Sequence, residues 1–295
     1  MSDTLPFTPF RLTCRSGVRY FDRPAVMGIL NITEDSFYDG GRHTTPESIL
    51  SHARSLLAEG ADIIDIGAVS SRPGAQLLKP KEEADRLVPV IRLLRRELPK
   101  ETILSVDTCF SLPATESFNA GADLINDISG GQMDTLMLPL IDAMSIPYVL
   151  MHMRGTPATM QNPENTQYGD IVDDLVRYYE ERLSHFTNPD SCDIFLDPGF
   201  GFAKTLEQNH ELLHRLSELI GRLPEYPFLV GISNKSMITR RLATLTLPPE
   251  NPSMPDSELG TLALDTFALC AGASILRVHS PRPTRIAIDL LYTQQ

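Results

Sequence analysis

Short apolar runs recur eight times along the chain, and stretches of helical periodicity alternate with them. The runs are Val26–Asn31, Asp62–Gly67, Ile103–Asp107, Leu124–Asn126, Tyr148–His152, Ile194–Asp197, Phe228–Ile232 and Ser274–His279. Runs of this kind, with little polar alternation, read as strands buried on both faces, which is what a parallel sheet demands. The stretches between them predict helices at Glu47–Glu59, Lys81–Leu98, Leu112–Asn119, Met133–Met144, Ile171–Phe186, Leu206–Leu219 and Ser257–Ala271, with Pro283–Leu291 last. In the first of these, Ile49, Ala53, Leu56 and Leu57 share a face and Gly60 stops the helix. Eight βα units predict an α/β fold, a single-domain (β/α)8 TIM barrel over residues 24–295. Residues 1–23 are expected to form an extension, a strand or hairpin, that packs on the barrel. A doubly wound sheet is the competing architecture, but the G-x-G-x-x-G fingerprint it often carries after the first strand is absent. The proline-rich Leu247–Pro255 reads as a surface loop rather than a domain linker.

At roughly 150 residues per domain the chain would hold two domains, yet one α/β barrel commonly takes about 250. With 295 residues, one barrel is expected to use up the chain, with no second catalytic domain appended. The 26 Lys and Arg against 38 Asp and Glu give a net charge of −12. That balance argues against nucleic acid or an anionic membrane surface as the main partner. It does not exclude an anionic small substrate, because a few clustered cations can oppose the global sign locally. Cys14, Cys109, Cys192 and Cys270 are too scattered for a zinc site or a redox pair, and too sparse for a disulfide scaffold. The N-terminus lacks the basic and apolar regions of a signal peptide, and no apolar run reaches the ~18 residues of a membrane span. A soluble, cytoplasmic protein is expected.

The polar residues at the strand ends carry the chemistry. Asn31, Asp107, Asn126-Asp127, His152 and Asp197 close five runs, Asp65 lies within the second, Asn234-Lys235-Ser236 follow the seventh, and Arg277 and His279 end the eighth. One polar strand end is an ordinary cap or turn residue. In a barrel, however, all these ends converge on the face where active sites are built. A buried Asp accepts two parallel N–H bonds, as an amino-pyrimidine edge would offer, and Asn126 both donates and accepts. Arg277 and His279, two residues apart on a strand, point the same way and can clamp a phosphate. Two polar loops, Asn31–Gly41 and Ser70–Ala75, have the composition of lids over a barrel mouth.

These residues fall into an ordered set of motifs: MGILNITEDSF-x-DGG, DIGAVSSRPGA, SVDT, INDISGG, MHMRGTP, LDPGFGFAKT, VGISNKSM and RVH. In that order the chain resembles the dihydropteroate synthase family of pterin-binding barrels over nearly all of Pro24–Leu291. The resemblance implies condensation of 4-aminobenzoate with 6-hydroxymethyl-7,8-dihydropterin diphosphate, by a dissociative route, in folate biosynthesis. It implies that Asp107, Asn126 and Asp197 hold the pterin edge over Met151, with Lys235 on the other side of the ring. Arg277, His279 and Asn31 would anchor the diphosphate, Asn31 also through Mg2+. Thr33, Asp35, Ser71, Arg72, Pro73, Phe202 and Ser236 would form the aminobenzoate pocket, with Asp35 steadying the developing cation or helping to order the leaving group. A homodimer is the family expectation.

The bland readings stand beside these. Thr33 and Ser71 suit ordinary turns, Met151 suits the core, Phe202 could close the barrel rim, and His152 could be a satisfied supporting residue. Asp65 reads as structural, supporting the loops, and His43, His52, His185, His210 and His214 read mostly as solvent-facing. The chain also departs from the commoner family pattern. Glu34 stands for Pro, Val69 and Ser71 alter the E-S-T-R-P segment, Ala203 replaces Gly, Asn234 replaces Arg, and Ser280 replaces Asp. These changes bear on affinity, including that for sulfonamides, without removing an essential group. A barrel methyltransferase acting on methyltetrahydrofolate would share the ring contacts but have no use for the two loops or a diphosphate clamp. A catalytically silent homologue fits poorly with the intact Asn31, Asp35, Arg72, Lys235, Arg277 and His279.

Overall fold

The computed structural model describes residues 5–32, 45–68, 77–187, 189, 192–246 and 255–292. An antiparallel hairpin, β1 (Phe10–Cys14) and β2 (Gly17–Phe21), precedes the barrel. The barrel strands are β3 (Ala25–Asn31), β4 (Ile63–Gly67), β5 (Ile103–Asp107), β6 (Leu124–Asp127), β7 (Tyr148–Met151), β8 (Ile194–Asp197), β9 (Leu229–Val230) and β10 (Ile275–Val278). All pair in parallel, in the order β8-β7-β6-β5-β4-β3-β10-β9. A parallel bridge between Leu196 and Phe228 brings the two ends of that sheet together. The predicted TIM barrel is therefore the observed fold. β9 is shorter than its apolar run: Phe228 pairs as an isolated bridge to Leu196, and Gly231 follows Val230.

Strand alternation sorts the core into two layers. Outward residues such as Val26, Ile64, Leu104, Ile125 and Leu276 pack under the helices in one continuous cluster. Inward residues Ala25, Met27, Ile63, Ile103, Leu124, Val149, Phe195, Leu229 and Ile275 fill the N-terminal half of the barrel. Phe10, Leu12 and Phe21 of the hairpin belong to this inner cluster, and Phe10 stacks on Phe21 at 4.6 Å. Two positions further along six of the eight strands the inward residues are Asp65, Ser105, Asn126, Met151, Asp197 and Arg277. The period of two thus turns a hydrophobic layer into a largely polar one within about 7 Å.

The helices are α1 (Pro46–Ala58), α2 (Pro80–Glu97), α3 (Ser111–Ala120), α4 (Met137–Met144), α5 (Ile171–Leu183), α6 (Leu206–His214), α7 (Leu216–Arg222), α8 (Ser236–Leu242), α9 (Asp256–Ala271) and α10 (Pro281–Leu291). Local chemistry starts several of them. Thr45 with Ser48 and Thr205 with Gln208 form capping boxes, and Asp170 accepts from Val172 N and Asp173 N. Two helical expectations are corrected, and one helix is added. Met133–Leu136 is a turn because the Asp134 carboxylate accepts from Ser111 and Leu136 instead of sitting in a helix. The stretch Leu206–Leu219 breaks at Arg215, whose guanidinium is tied to Asp170, Glu211 and Glu218. The helix α8 has only seven residues, too short for its periodicity to be read, and was not expected.

Candidate active site

A four-residue ionic network occupies the C-terminal end of the barrel. Arg277 reaches from β10 to β4 and β5, where its Nε donates to Asp65 Oδ2 at 2.7 Å and its Nη2 to Asp107 Oδ2 at 3.0 Å. Asn126 Nδ2 donates to the same Asp65 oxygen at 3.0 Å. Asp65 is fully buried and is a central partner of this network. Its other oxygen and the Ser105 hydroxyl are buried with no hydrogen-bond partner among the described residues. Burial pushes the Asp107 carboxyl up to about 7, because Arg277 offsets only part of the desolvation and Asp65, Glu83 and Asp127 repel its charge. Burial also works against the Arg277 guanidinium, but the facing carboxylates outweigh it and hold that group above its ordinary value.

The opposite wall is built on the turn after β8. Asp197 Oδ1 accepts from Gly199 N at 2.7 Å, and Gly199 has φ +68. A Cβ at Gly199 would lie 2.1 Å from the His152 carbonyl oxygen, so the turn requires glycine. Lys235 Nζ donates to the Phe200 carbonyl and lies 4.7 Å from the centre of the Phe202 ring. Burial brings Lys235 down to about 8, while the Asp197 carboxylate pulls the other way. His279 Nδ1 is 2.9 Å from Ser233 Oγ, and its backbone N–H donates to the same oxygen at 3.2 Å.

Between these walls lies a cavity of about 510 Å³. Asn31, Arg277 and His279 border it, as do Phe202, Lys235 and Ser236. Asp107 joins it through Arg277, and Asn126 through Asp65. Asp107, Asn126, Met151 and Asp197 do not themselves line it. Met151 and Phe202 share a buried apolar cluster with Cys109, Ile128, Met153, Met160 and Ala203. Thr33, Asp35, Ser71, Arg72 and Pro73 lie outside the described residues.

Sequence reasoning missed three contributors. Lys204 lines the cavity but is only 2% exposed; its Nζ contacts His152 Nδ1 at 3.0 Å, Gly199 O at 3.1 Å and Phe202 O at 3.2 Å. His152 is accordingly a supporting residue, and burial followed by the Lys204 charge holds its imidazole well below its usual range. Ser233 and Arg240 also border the cavity. A lysine in a Gly-rich turn and an arginine in a short helix carry no burial signal in sequence, so nothing marked them. Of the histidines read as solvent-facing, His52 and His210 are half-buried, His185 and His214 are exposed, and His43 lies outside the described residues. Two departures from the family pattern gain a physical meaning. Ala203 has φ +50, a conformation that suits the Gly it replaces. Asn234 has φ +55, which Asn tolerates better than most side chains do.

Residues 27–279 match the family model described as pterin binding enzyme. The chain is 41% identical over 261 residues to the dihydropteroate synthase of Synechocystis sp., covering 87% of this chain and 85% of that one. The dihydropteroate synthase of Yersinia pestis, solved in a sulfonamide drug complex, superposes with a TM-score of 0.81 at 38% identity, covering 96% of this chain and 97% of that one. The chain belongs to the dihydropteroate synthase family. It is also 39% identical over 274 residues to the mitochondrial folate synthesis bifunctional protein of Arabidopsis thaliana, covering 89% of this chain. It spans about half the length of that relative, 48%. For a dihydropteroate synthase relative, the polar layer above the Met27–Phe195 core is the place where substrate chemistry is to be sought.

Proposed function

We propose that this chain condenses 4-aminobenzoate with 6-hydroxymethyl-7,8-dihydropterin diphosphate, giving 7,8-dihydropteroate and pyrophosphate. One observation carries the reading: a network of hydrogen-bonding side chains, the cations Lys235 and Arg277 and the His279 imidazole meet at one cavity of the barrel mouth. Asp107, Asn126 and Asp197 supply the donors and acceptors that a pterin edge needs, with Met151 beneath the ring and Lys235 donating from its other side. The Nε and Nη2 of Arg277 are committed to carboxylates, and Nη1 together with His279 and Asn31 would hold the diphosphate. Phe202 and Ser236, with Thr33, Asp35, Ser71, Arg72 and Pro73, would form the aminobenzoate pocket.

The bond between the pterin methylene carbon and the diphosphate oxygen breaks first, and its electron pair leaves with pyrophosphate. The dihydropterin ring delocalises the positive charge, steadied by Asp35. The arylamine lone pair then forms the C–N bond, and the ammonium proton departs to water. No strong general base is needed for so acidic an intermediate. Arg277, His279 and Lys235 act before the amine arrives, by stabilising charge on the leaving group and orienting the ring.

Asn31 fits a Mg2+ site: it places one neutral amide at the cavity beside Arg277 and His279, and Mg2+ commonly combines one or two protein oxygens with water and substrate phosphates. When bound, the ion supplies further charge neutralisation to the pyrophosphate. We assign the protein to the cytoplasm as a homodimer without nucleic-acid or membrane partners. This assignment is supported by the net charge of −12, the absence among the described residues of a helix able to cross a membrane, and the exposed Phe267, Ile286 and Leu290 on α9 and α10. Incubation of the purified chain with Mg2+ and both substrates should release pyrophosphate only when both are present. No release with verified substrates would reject the reading.

A further inference from the structure

The cavity has a polarity along its depth that the proposed reaction leaves unexplained. At its inner end Arg277 is tied down by Asp65 and Asp107. At its outer end α8 presents Ser236 and, one turn later, Arg240, both exposed and both on the cavity wall. Residues four apart share a helix face, so the two side chains border the same stretch of the mouth. The next residue, Arg241, is also exposed but does not line the cavity. No hydrogen bond or ion pair engages the Arg240 side chain among the described residues, whereas Arg215, Arg277 and Arg285 are each held by carboxylates.

The chemistry of the amine decides what Arg240 faces. The nucleophilic nitrogen must reach the pterin methylene in the inner part of the site. In 4-aminobenzoate the carboxylate sits para to that nitrogen, so it projects outward, away from the reaction. We propose that Arg240 reads this carboxylate, and that with Ser236 it makes the site selective for arylamines carrying an anionic group para to the nitrogen. The inference rests on the arylamine reading above and extends it by naming the residue that distinguishes a charged amine from a neutral one. A guanidinium offers a carboxylate two parallel donors, and its place at a solvent-exposed mouth makes the contribution modest and sensitive to salt.

The test compares 4-aminobenzoate with 4-aminobenzamide, which keeps the ring and the amine and removes the charge. Each amine is compared with itself across the unmodified chain, Arg240→Gln and Arg241→Gln, with pyrophosphate release as the readout. The Arg240→Gln change should raise KM for 4-aminobenzoate roughly fivefold, leave kcat within about twofold, and move KM for the amide by less than about twofold. Arg241→Gln removes the same charge from the same helix and should move neither KM. The 4-aminobenzoate penalty should shrink as salt is raised. Equal effects of Arg240→Gln on the two amines, no effect on either, or an Arg241→Gln effect as large as that of Arg240→Gln would overturn the assignment. Failure of the functional reading itself is distinct: the unmodified chain would release no pyrophosphate with either amine.

Discussion

The two ends of this barrel use the same residue types in opposite ways. At the N-terminal end, Asp62, Asp123 and Asp193 each accept from a backbone N–H and from an arginine. Asp62 takes Val26 N at 2.9 Å and Arg285; Asp123 takes Leu104 N at 3.0 Å, Arg15 N at 2.9 Å and Arg95 at 2.6 Å; Asp193 takes Thr13 N at 2.6 Å and Arg11 at 3.1 Å. These carboxylates are locked, and two of them tie the hairpin to the barrel. At the C-terminal end, among the described residues, Asp65 and Asp107 are held by side chains from other strands, and one Asp65 oxygen has no partner. A carboxylate locked by a backbone N–H and an arginine together serves the fold. One held by movable side chains remains able to exchange them for a ligand.

The largest separation between the ends should come from Lys235→Met. Loss of a half-buried donor at the cavity wall should slow pyrophosphate release by at least about 100-fold. Stability should fall by no more than about 1 kcal/mol in a denaturant titration, since a desolvated charge is removed along with its hydrogen bond. Asp123→Ala should do the reverse. It strands Arg95 and two backbone N–H groups, costing about 3–5 kcal/mol, while turnover per folded molecule stays within about twofold. Arg277→Ala should damage both properties, because it leaves Asp65 and Asp107 buried without their cation.

The pH dependence sharpens the contrast. If Asp107 acts ionised and Lys235 acts protonated, kcat/KM for the pterin substrate should peak between about 7 and about 8. Asp107→Asn should flatten the acidic limb, and Lys235→Arg the alkaline one. For stability, Lys235 has a lower pKa folded than its ordinary 10.5, so the native state sheds that proton first as pH rises. Between about 8 and 10.5 the unfolded chain binds more protons, and this group makes stability rise with pH across that window. Lys235→Met should abolish that component of the slope. The smallest effect is expected at Ala203→Gly, which should stabilise by about 0.5–1 kcal/mol by relieving the positive φ. It should raise Tm by roughly 2 °C.

Most of the barrel was legible because strand alternation and buried parallel pairing leave a strong mark, from Met27 and Asn31 in the first run to Ile275 and Arg277 in the last. The same alternation placed Asp107, Asn126, Asp197 and Arg277 on one face. Asp65, two positions beyond Ile63, points inward with them, although its setting inside IIDIG suits a structural reading. Lys204, Ser233 and Arg240 could not be read, because their roles depend on turns and a seven-residue helix whose spatial neighbours are distant in the chain. The hairpin's place in the inner core likewise rests on contacts between Phe10 and Phe195, 185 positions apart by number.

The division between the two ends is tested most directly by the rate of pyrophosphate release from Lys235→Met, measured on protein whose folded fraction is verified in the same preparation. A folded protein slowed at least about 100-fold relative to the unmodified chain is the expected result. A folded protein releasing pyrophosphate at the unmodified rate would contradict the account.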